Sequence, residues 1–500
     1  MAPADPYDQR PYTDHAYAES HPDRLASVAR LSGWEAPGVE AAHVLELGCG
    51  RGGNLLPIAA ALPGARVVGV DRSRRQIEEA RAIATATGLG NARFVVASFE
   101  DALGVGGPFD YVVAHGVASW VSPASRRALL GTIAGALAPG GVAYVSFNVL
   151  PGWYERMAAR DWWRFEPASL REPGSDNPLA SSRGMFDRGE DAGASMRWLV
   201  ERVSPEHGDY RRRLEAVARR VSETDPAYVT HEFLADEHHP QLVSALLTEA
   251  ADAGLAYLGD AIPGETALEL CDDEVRARAH TQDVAATQQL VDFVRNTAFR
   301  RALFVRADEA AARGWRWPSE LKVEAFEGLR LASRLKPHGE ATPEAPAERF
   351  DAADVSVQVA DATARRALRE LAGVAPRSLP FPELARRVDA KDTAALRREL
   401  FELWLATGAV DLHAHEPALA VAPTERPLAC PVARWHAHHG GAVTNRWHQE
   451  VRLDDALLRR VLSLLDGAHT LADIAAAAGC SAEVARASLE ALAAAALVVA

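Results

Sequence analysis

Between residues 43 and 149 the chain repeats one pattern: an apolar run, a turn, a stretch of helical periodicity, then another apolar run. The runs are "HVLELG", "RVVGVD", "ARFVVAS", "FDYVVAHG" and "VAYVSFNV". Among them lie "GGNLLPIAAAL", "SRRQIEEARAIATATG" and "SRRALLGTIAGALAPGG". Strands that are apolar throughout need cover on both faces, and helices that connect parallel strands supply it. The pattern predicts an α/β domain on a Rossmann-like sheet. Two later segments, "HPQLVSALLTEAADAGLAYLGDA" (helix, Gly254, strand) and "AFRRALFVRAD" (strand), extend it to seven strands with a late antiparallel member. Residues 154–230 are helical and aromatic-rich without strand signals, and are expected to form an insertion over the mouth of the sheet.

The first strand dies into glycines, "HVLELGCGRGGNL". A glycine turn at a helix N-terminus exposes unpaired N–H groups and a partial positive charge, and lets a ligand approach the backbone. Gly48-x-Gly50-x-x-Gly53 with Asp71 downstream satisfies the dinucleotide fingerprint, so the turn alone fits NAD as well as S-adenosylmethionine. Three features favour S-adenosylmethionine. Glu46, two residues before the first glycine, suits a ligand ammonium and would face a pyrophosphate poorly. The fourth strand ends in "HGVASW", not in a second glycine fingerprint. The helix–strand ending through residue 308 suits the seven-stranded class I methyltransferase sheet.

Roles follow from that ligand. Gly48, Gly50 and Gly52 line its methionine part, with Glu46 and Asn54 beside them. Asp71 takes the ribose hydroxyls, a bidentate task suited to a carboxylate, with Arg72 and Gln76 next to it. Ser98 and Phe99 flank the adenine, and His115 and Gly116 lie near the sulfonium. Methyl transfer is an in-line displacement in which the protein chiefly orients two reactants. An amine acceptor must also lose a proton, which desolvation beside a cation encourages. Aromatic rings suit such a pocket, each worth about 0.5–2 kcal/mol to a cation over its face. The catalytic candidates are therefore Tyr7, Tyr12, His115, Trp120, Asn148 and Trp153, with Tyr7 and Tyr12 forming a lid.

Residues 309–350, rich in Pro, Ala and Glu around "RLKPHGEATPEAPAERFD", are expected to be a linker. Two similar helix–helix–helix–strand units follow, 351–420 and 421–500, and look like winged-helix modules. Their last long helix, "SAEVARASLEALAAAAL", holds one arginine and no lysine, too little charge for reading phosphates. A net charge of −14 over 500 residues likewise argues against nucleic acid. The histidines of "RWHAHHGG" lack cysteine and acid partners at closed-site spacing, so no metal is expected. Four scattered cysteines suit a reducing compartment. No apolar leader or spanning stretch is evident, and the expectation is a cytoplasmic protein without membrane partners.

"YDQRPYTDHAYAESHPDRLASVARL", "VLELGCGRGGNLLPIA", "VGVDRSRRQI", "FDYVVAHGVASWV", "VAYVSFNVLPGW", "AYVTHEFL" and the tail "ACPVARWHAHHGGAVTNRWHQEV" occur in an order that resembles methyltransferases with a regulatory domain, among them the rickettsial outer-membrane-protein lysine methyltransferases. The resemblance covers most of the chain. It implies a methyltransferase domain over 1–308, with a regulatory-type segment near 215–305, and transfer to an amine, foremost a protein lysine. The chain departs from the family at Ala118, Phe147 and Leu150, where relatives commonly carry tyrosine. Alternatives are a methyltransferase for a metabolite, peptide or polyketide intermediate, and a non-catalytic S-adenosylmethionine-binding adaptor. A homodimer stays open. Because every expected cofactor contact precedes residue 120, deleting 325–500 is expected to spare cofactor affinity.

Overall fold

A computed structural model describes residues 15–165, 185–224, 226–279, 283–318, 320–339, 346–352, 355–420 and 424–499. Tyr7 and Tyr12 lie outside them. The parallel strands are β1 (His43–Leu47), β2 (Arg66–Asp71), β3 (Ala92–Val96), β4 (Phe109–Ala114) and β5 (Leu137–Leu150). A two-residue β6 (Gln241–Leu242) pairs with the end of β5, and β7 (Leu255–Asp260) and β8 (Phe299–Arg306) complete the sheet. The order is β3-β2-β1-β4-β5-β8-β7, with β8 antiparallel to both neighbours. The expected seven-strand topology with its late antiparallel strand is therefore present, and β6 is an addition to it.

Strand composition explains the layering. Val44, Leu45, Val112, Val113, Val142 and Val145 are all fully buried, because helices cover both faces. Helix α1 (Pro22–Leu31) precedes the sheet. After it come α2 (Leu55–Ala61), α3 (Arg74–Ala86) and α4 (Pro123–Ala136), which follow β1, β2 and β4. Ser73 and Ser122 cap α3 and α4 through side chains that accept from Gln76 and Ser125 N–H groups. The helical insertion contains α5 (Tyr154–Phe165), α6 (Met185–Arg202) and α7 (Gly208–Ser222), and ends in a π-helical turn, Thr230–Leu234. Its own core gathers Trp153, Trp163, Met196, Leu214 and Phe233.

The linker expectation fails. Arg330–Ser333 is the central strand of a three-stranded sheet, flanked by Leu379–Pro380 and Val410–His413. Phe326, Leu329, Leu331, Leu335 and Phe350 are buried with the helices Ala362–Val374, Phe381–Arg387 and Thr393–Thr407. Proline- and glutamate-rich composition concealed a short strand whose apolar residues are few but fully used. The last unit has helices Ala456–Ser463, Leu471–Ala478 and Ala482–Ala494, closed by Leu428–Ala429 paired with Val498–Val499. Among the described residues no helix is long and apolar enough to cross a membrane.

Candidate active site

The C-terminal ends of β1, β2 and β4 surround the glycine turn. Gly48, Gly50 and Gly52 have φ of +77°, +53° and +82°. A Cβ on Gly48 would stand 2.6 Å from the Val117 side chain, so both conformation and space demand glycine there. The Asp71 carboxylate braces this turn. Its Oδ2 accepts the Gly50 N–H at 3.0 Å and its Oδ1 the Ser73 N–H at 2.8 Å. Gln76 lies against Gly50, while Arg72 is exposed. Ser98 donates to Asp101, and the partly buried Phe99 packs on the core beside α4.

Glu46 is 3% exposed and accepts the Asn54 amide at 2.9 Å. Asn54 stands at the N-cap of α2 but does not cap it. Its amide nitrogen also donates to Ser20 at 3.0 Å, and its oxygen accepts the Tyr17 N–H at 3.0 Å. The Tyr17 ring stacks on His115, with centroids 3.4 Å apart and planes 16° from parallel. Among the described residues of the N-terminal arm, Tyr17 is therefore an aromatic at this site that sequence reasoning did not single out, while Tyr7 and Tyr12 lie outside the described residues. His115 Nδ1 meets the Tyr144 hydroxyl at 2.9 Å. Burial lowers the His115 pKa to about 3, helped by Arg301 and His15, and burial together with Glu46 raises that of the Tyr17 phenol. Both rings are neutral at pH 7. Gly116 is exposed, and its N–H donates to Ser146.

Trp120, Asn148 and Trp153 converge on a residue that sequence reasoning missed, His238. Its ring stacks on Trp120 at 4.5 Å and tilts over Trp153 at 4.3 Å. Its Nε2 lies 3.1 Å from the Asn148 amide. The Ser119 hydroxyl accepts the Asn148 N–H at 2.8 Å, and the Ser119 carbonyl accepts the His239 N–H at 2.8 Å. This ties the loop after β4 to the segment before β6. Burial, with Arg160, lowers the His238 pKa to about 3. Only the "EHHP" stretch hinted at it, 90 residues from Asn148 in sequence.

A second residue the sequence did not single out for this region comes from the last unit. His448 Nε2 lies 2.7 Å from the Asn54 oxygen. Among the described residues no group of three or more His, Cys, Asp or Glu could hold a metal ion.

A methyltransferase domain model matches residues 44–141, a predicted methyltransferase regulatory domain 225–306, and the PKMT C-terminal winged helix domain 425–497. An uncharacterized protein of Rickettsia prowazekii is 34% identical over 313 residues, 62% of this chain and 54% of its own length. A second from the same organism is 30% identical over 230 residues, 46% of this chain and 87% of its own length. The chain thus spans about half of the first relative and most of the second. Among solved structures, PKMT2 from Rickettsia typhi in complex with AdoHcy superimposes with a TM-score of 0.83 at 22% identity. The match covers 98% of this chain and all of that one, so the two share a fold from end to end.

Proposed function

We propose that this chain, which belongs to the methyltransferases carrying a methyltransferase regulatory domain, transfers the methyl group of S-adenosylmethionine to a protein lysine side chain. The observation that carries the reading is the gathering of Glu46, the glycine turn, Asp71 and the Tyr17–His115 stack at the ends of three adjacent parallel strands. Glu46 is placed to receive the ligand's ammonium. Asp71 keeps acceptor capacity for two ribose hydroxyls while it braces the loop, since a carboxylate offers about four lone-pair sites. The bound sulfonium supplies the electrophilic methyl.

The protein's remaining tasks are orientation, desolvation and removal of competing charge. A neutral His115 stacked on Tyr17 presents aromatic faces, not a second cation, to the methyl-transfer position. Desolvation beside a cation lowers the pKa of a lysine ammonium and frees its lone pair. Trp120, Asn148 and His238 form the adjoining wall on the acceptor side. Trp153 lies behind them, fully buried, and acts as packing rather than as an exposed cage face. The winged-helix match to the PKMT C-terminal domain and the PKMT2 fold support a protein acceptor.

The test is incubation of the purified chain with methyl-labelled S-adenosylmethionine and a lysate split into protein and small-molecule fractions. Label is expected in protein, and acid hydrolysis should return it as methyllysine. Label confined to the small-molecule fraction would contradict the lysine reading and favour a metabolite methyltransferase.

A further inference from the structure

The turn Arg446–Trp447–His448 belongs to the C-terminal winged-helix domain, yet its three side chains all point out of that domain. Arg446 donates through Nη1 to the Ala60 carbonyl at 2.8 Å and through Nη2 to the Ala61 carbonyl at 3.3 Å. These are the last two residues of α2. His448 meets Asn54 at the other end of the same helix. Trp447 donates its indole N–H to the Pro376 carbonyl at 2.8 Å and lies 3.9 Å from the His413 ring. His413 in turn bonds Asp23 of α1 at 2.6 Å. One tripeptide therefore holds both ends of the helix that follows the glycine turn, and fastens the middle unit as well.

The proton arrangement runs one way. A carboxylate accepts only, so the Asn54 group facing Glu46 is its NH2, and its oxygen faces His448. His448 Nε2 must then donate, which requires the neutral Nε2–H tautomer. Burial holds its pKa well below the usual range, with His21 adding in the same direction. The residue is 1% exposed and has φ of +60°, a conformation uncommon for a side chain of this size. A backbone strained at a buried residue that contacts another domain marks a position fixed by its surroundings.

We propose that Arg446 and His448 are positioning residues of the cofactor site, setting Asn54, and through it Glu46, so that cofactor binding and docking of the C-terminal domain are one linked equilibrium. The inference rests on S-adenosylmethionine being the ligand of the Glu46 site. It replaces the expectation that residues 325–500 are separable from cofactor affinity. Linkage is reciprocal: if docking strengthens binding, binding strengthens docking by the same factor.

The experiment uses the full chain and S-adenosylhomocysteine as the probe. Calorimetry should show His448→Ala binding about tenfold more weakly than wild type, as for loss of one buried hydrogen bond that orients a charged group. His448→Gln, which keeps an N–H donor of similar reach, should recover most of that loss. Hydrogen exchange of the wild-type protein should slow in residues 443–451 when S-adenosylhomocysteine is added, and this readout needs no variant. A His448→Ala protein with wild-type affinity, or exchange in 443–451 unchanged by ligand, would overturn the inference while leaving the methyltransferase reading intact. A wild-type chain that binds no S-adenosylhomocysteine would overturn both.

Discussion

The proposed cofactor half of the site and the proposed acceptor half are built in different ways. Glu46, Gly48, Gly50, Asn54 and Asp71 lie within 26 residues, on two adjacent strands and the turns that follow them. The proposed acceptor wall joins Trp120, Asn148 and His238, and its ties run through the loop after β4, the end of β5 and the segment before β6. A local site is dictated by short-range chemistry: positive-φ glycines, a carboxylate at a strand end, a helix that begins at once. A dispersed site depends on which strand ends the sheet order brings together. The first kind is spelled out in one stretch of sequence, although its Asn54 is also held by His448 of the last unit. The second is where acceptor preference can diverge.

The largest test of that contrast removes residues 325–500. If the cofactor half were truly local, the remaining chain would still bind. The structure expects otherwise, since Ala429, Val432, Leu462 and Val498 share one continuous core with Leu25, Ala59 and Leu62. The fragment should lose its cooperative melt and its binding together. A fragment that melts cooperatively and binds S-adenosylhomocysteine normally would restore the separable-module picture.

Next in size is Asp71→Ala, which removes both the proposed ribose contacts and the brace on Gly50 and Ser73. A loss of about 2–3 kcal/mol, on the order of a hundredfold in affinity, is expected by calorimetry. Affinity within threefold of wild type would place the ribose elsewhere. His238→Ala sharpens the comparison from the other side. It should lower kcat about tenfold, with S-adenosylhomocysteine affinity within twofold of wild type. Equal losses in both would show that the halves are not distinct.

A test that mixes both halves of the site with the rest of the core is the pH dependence of stability. His21 and His436 have pKa values lowered to about 4, and His115 and His238 to about 3, each chiefly by burial. Their folded values lie below the unfolded value near 6.5, so the unfolded chain binds more protons in acid. The stability each contributes is complete above about pH 6.5 and falls as pH drops below it, by up to about 1.4 kcal/mol per pH unit for each histidine. Melting temperature should therefore fall steadily from pH 7 to pH 5. A flat profile would mean that these rings are not buried in neutral form.

Legibility in the sequence followed the same division. The strands and helices of 43–149 were readable because apolar runs and glycine punctuation are local signals, and Glu46, Asp71, His115 and Asn148 stand where strand ends put them. Tyr17 was missed because nothing local in the N-terminal arm marks the aromatic that stacks on His115. His238 and His448 were missed because their partners are 90 and 394 residues away, a separation no periodicity encodes. Residues 309–350 were misread because composition reports the average of a segment, whereas Leu329, Leu331 and Leu335 fill a core by position.

The account rests most directly on which nucleotide the glycine turn holds, and a calorimetric titration of the full chain with S-adenosylmethionine and, separately, with NAD addresses it. Saturable one-site binding of S-adenosylmethionine, with no measurable heat from NAD, is the predicted result. Comparable or stronger binding of NAD would contradict it, because Glu46 would then face a pyrophosphate and the assignment of every site residue would fall with it.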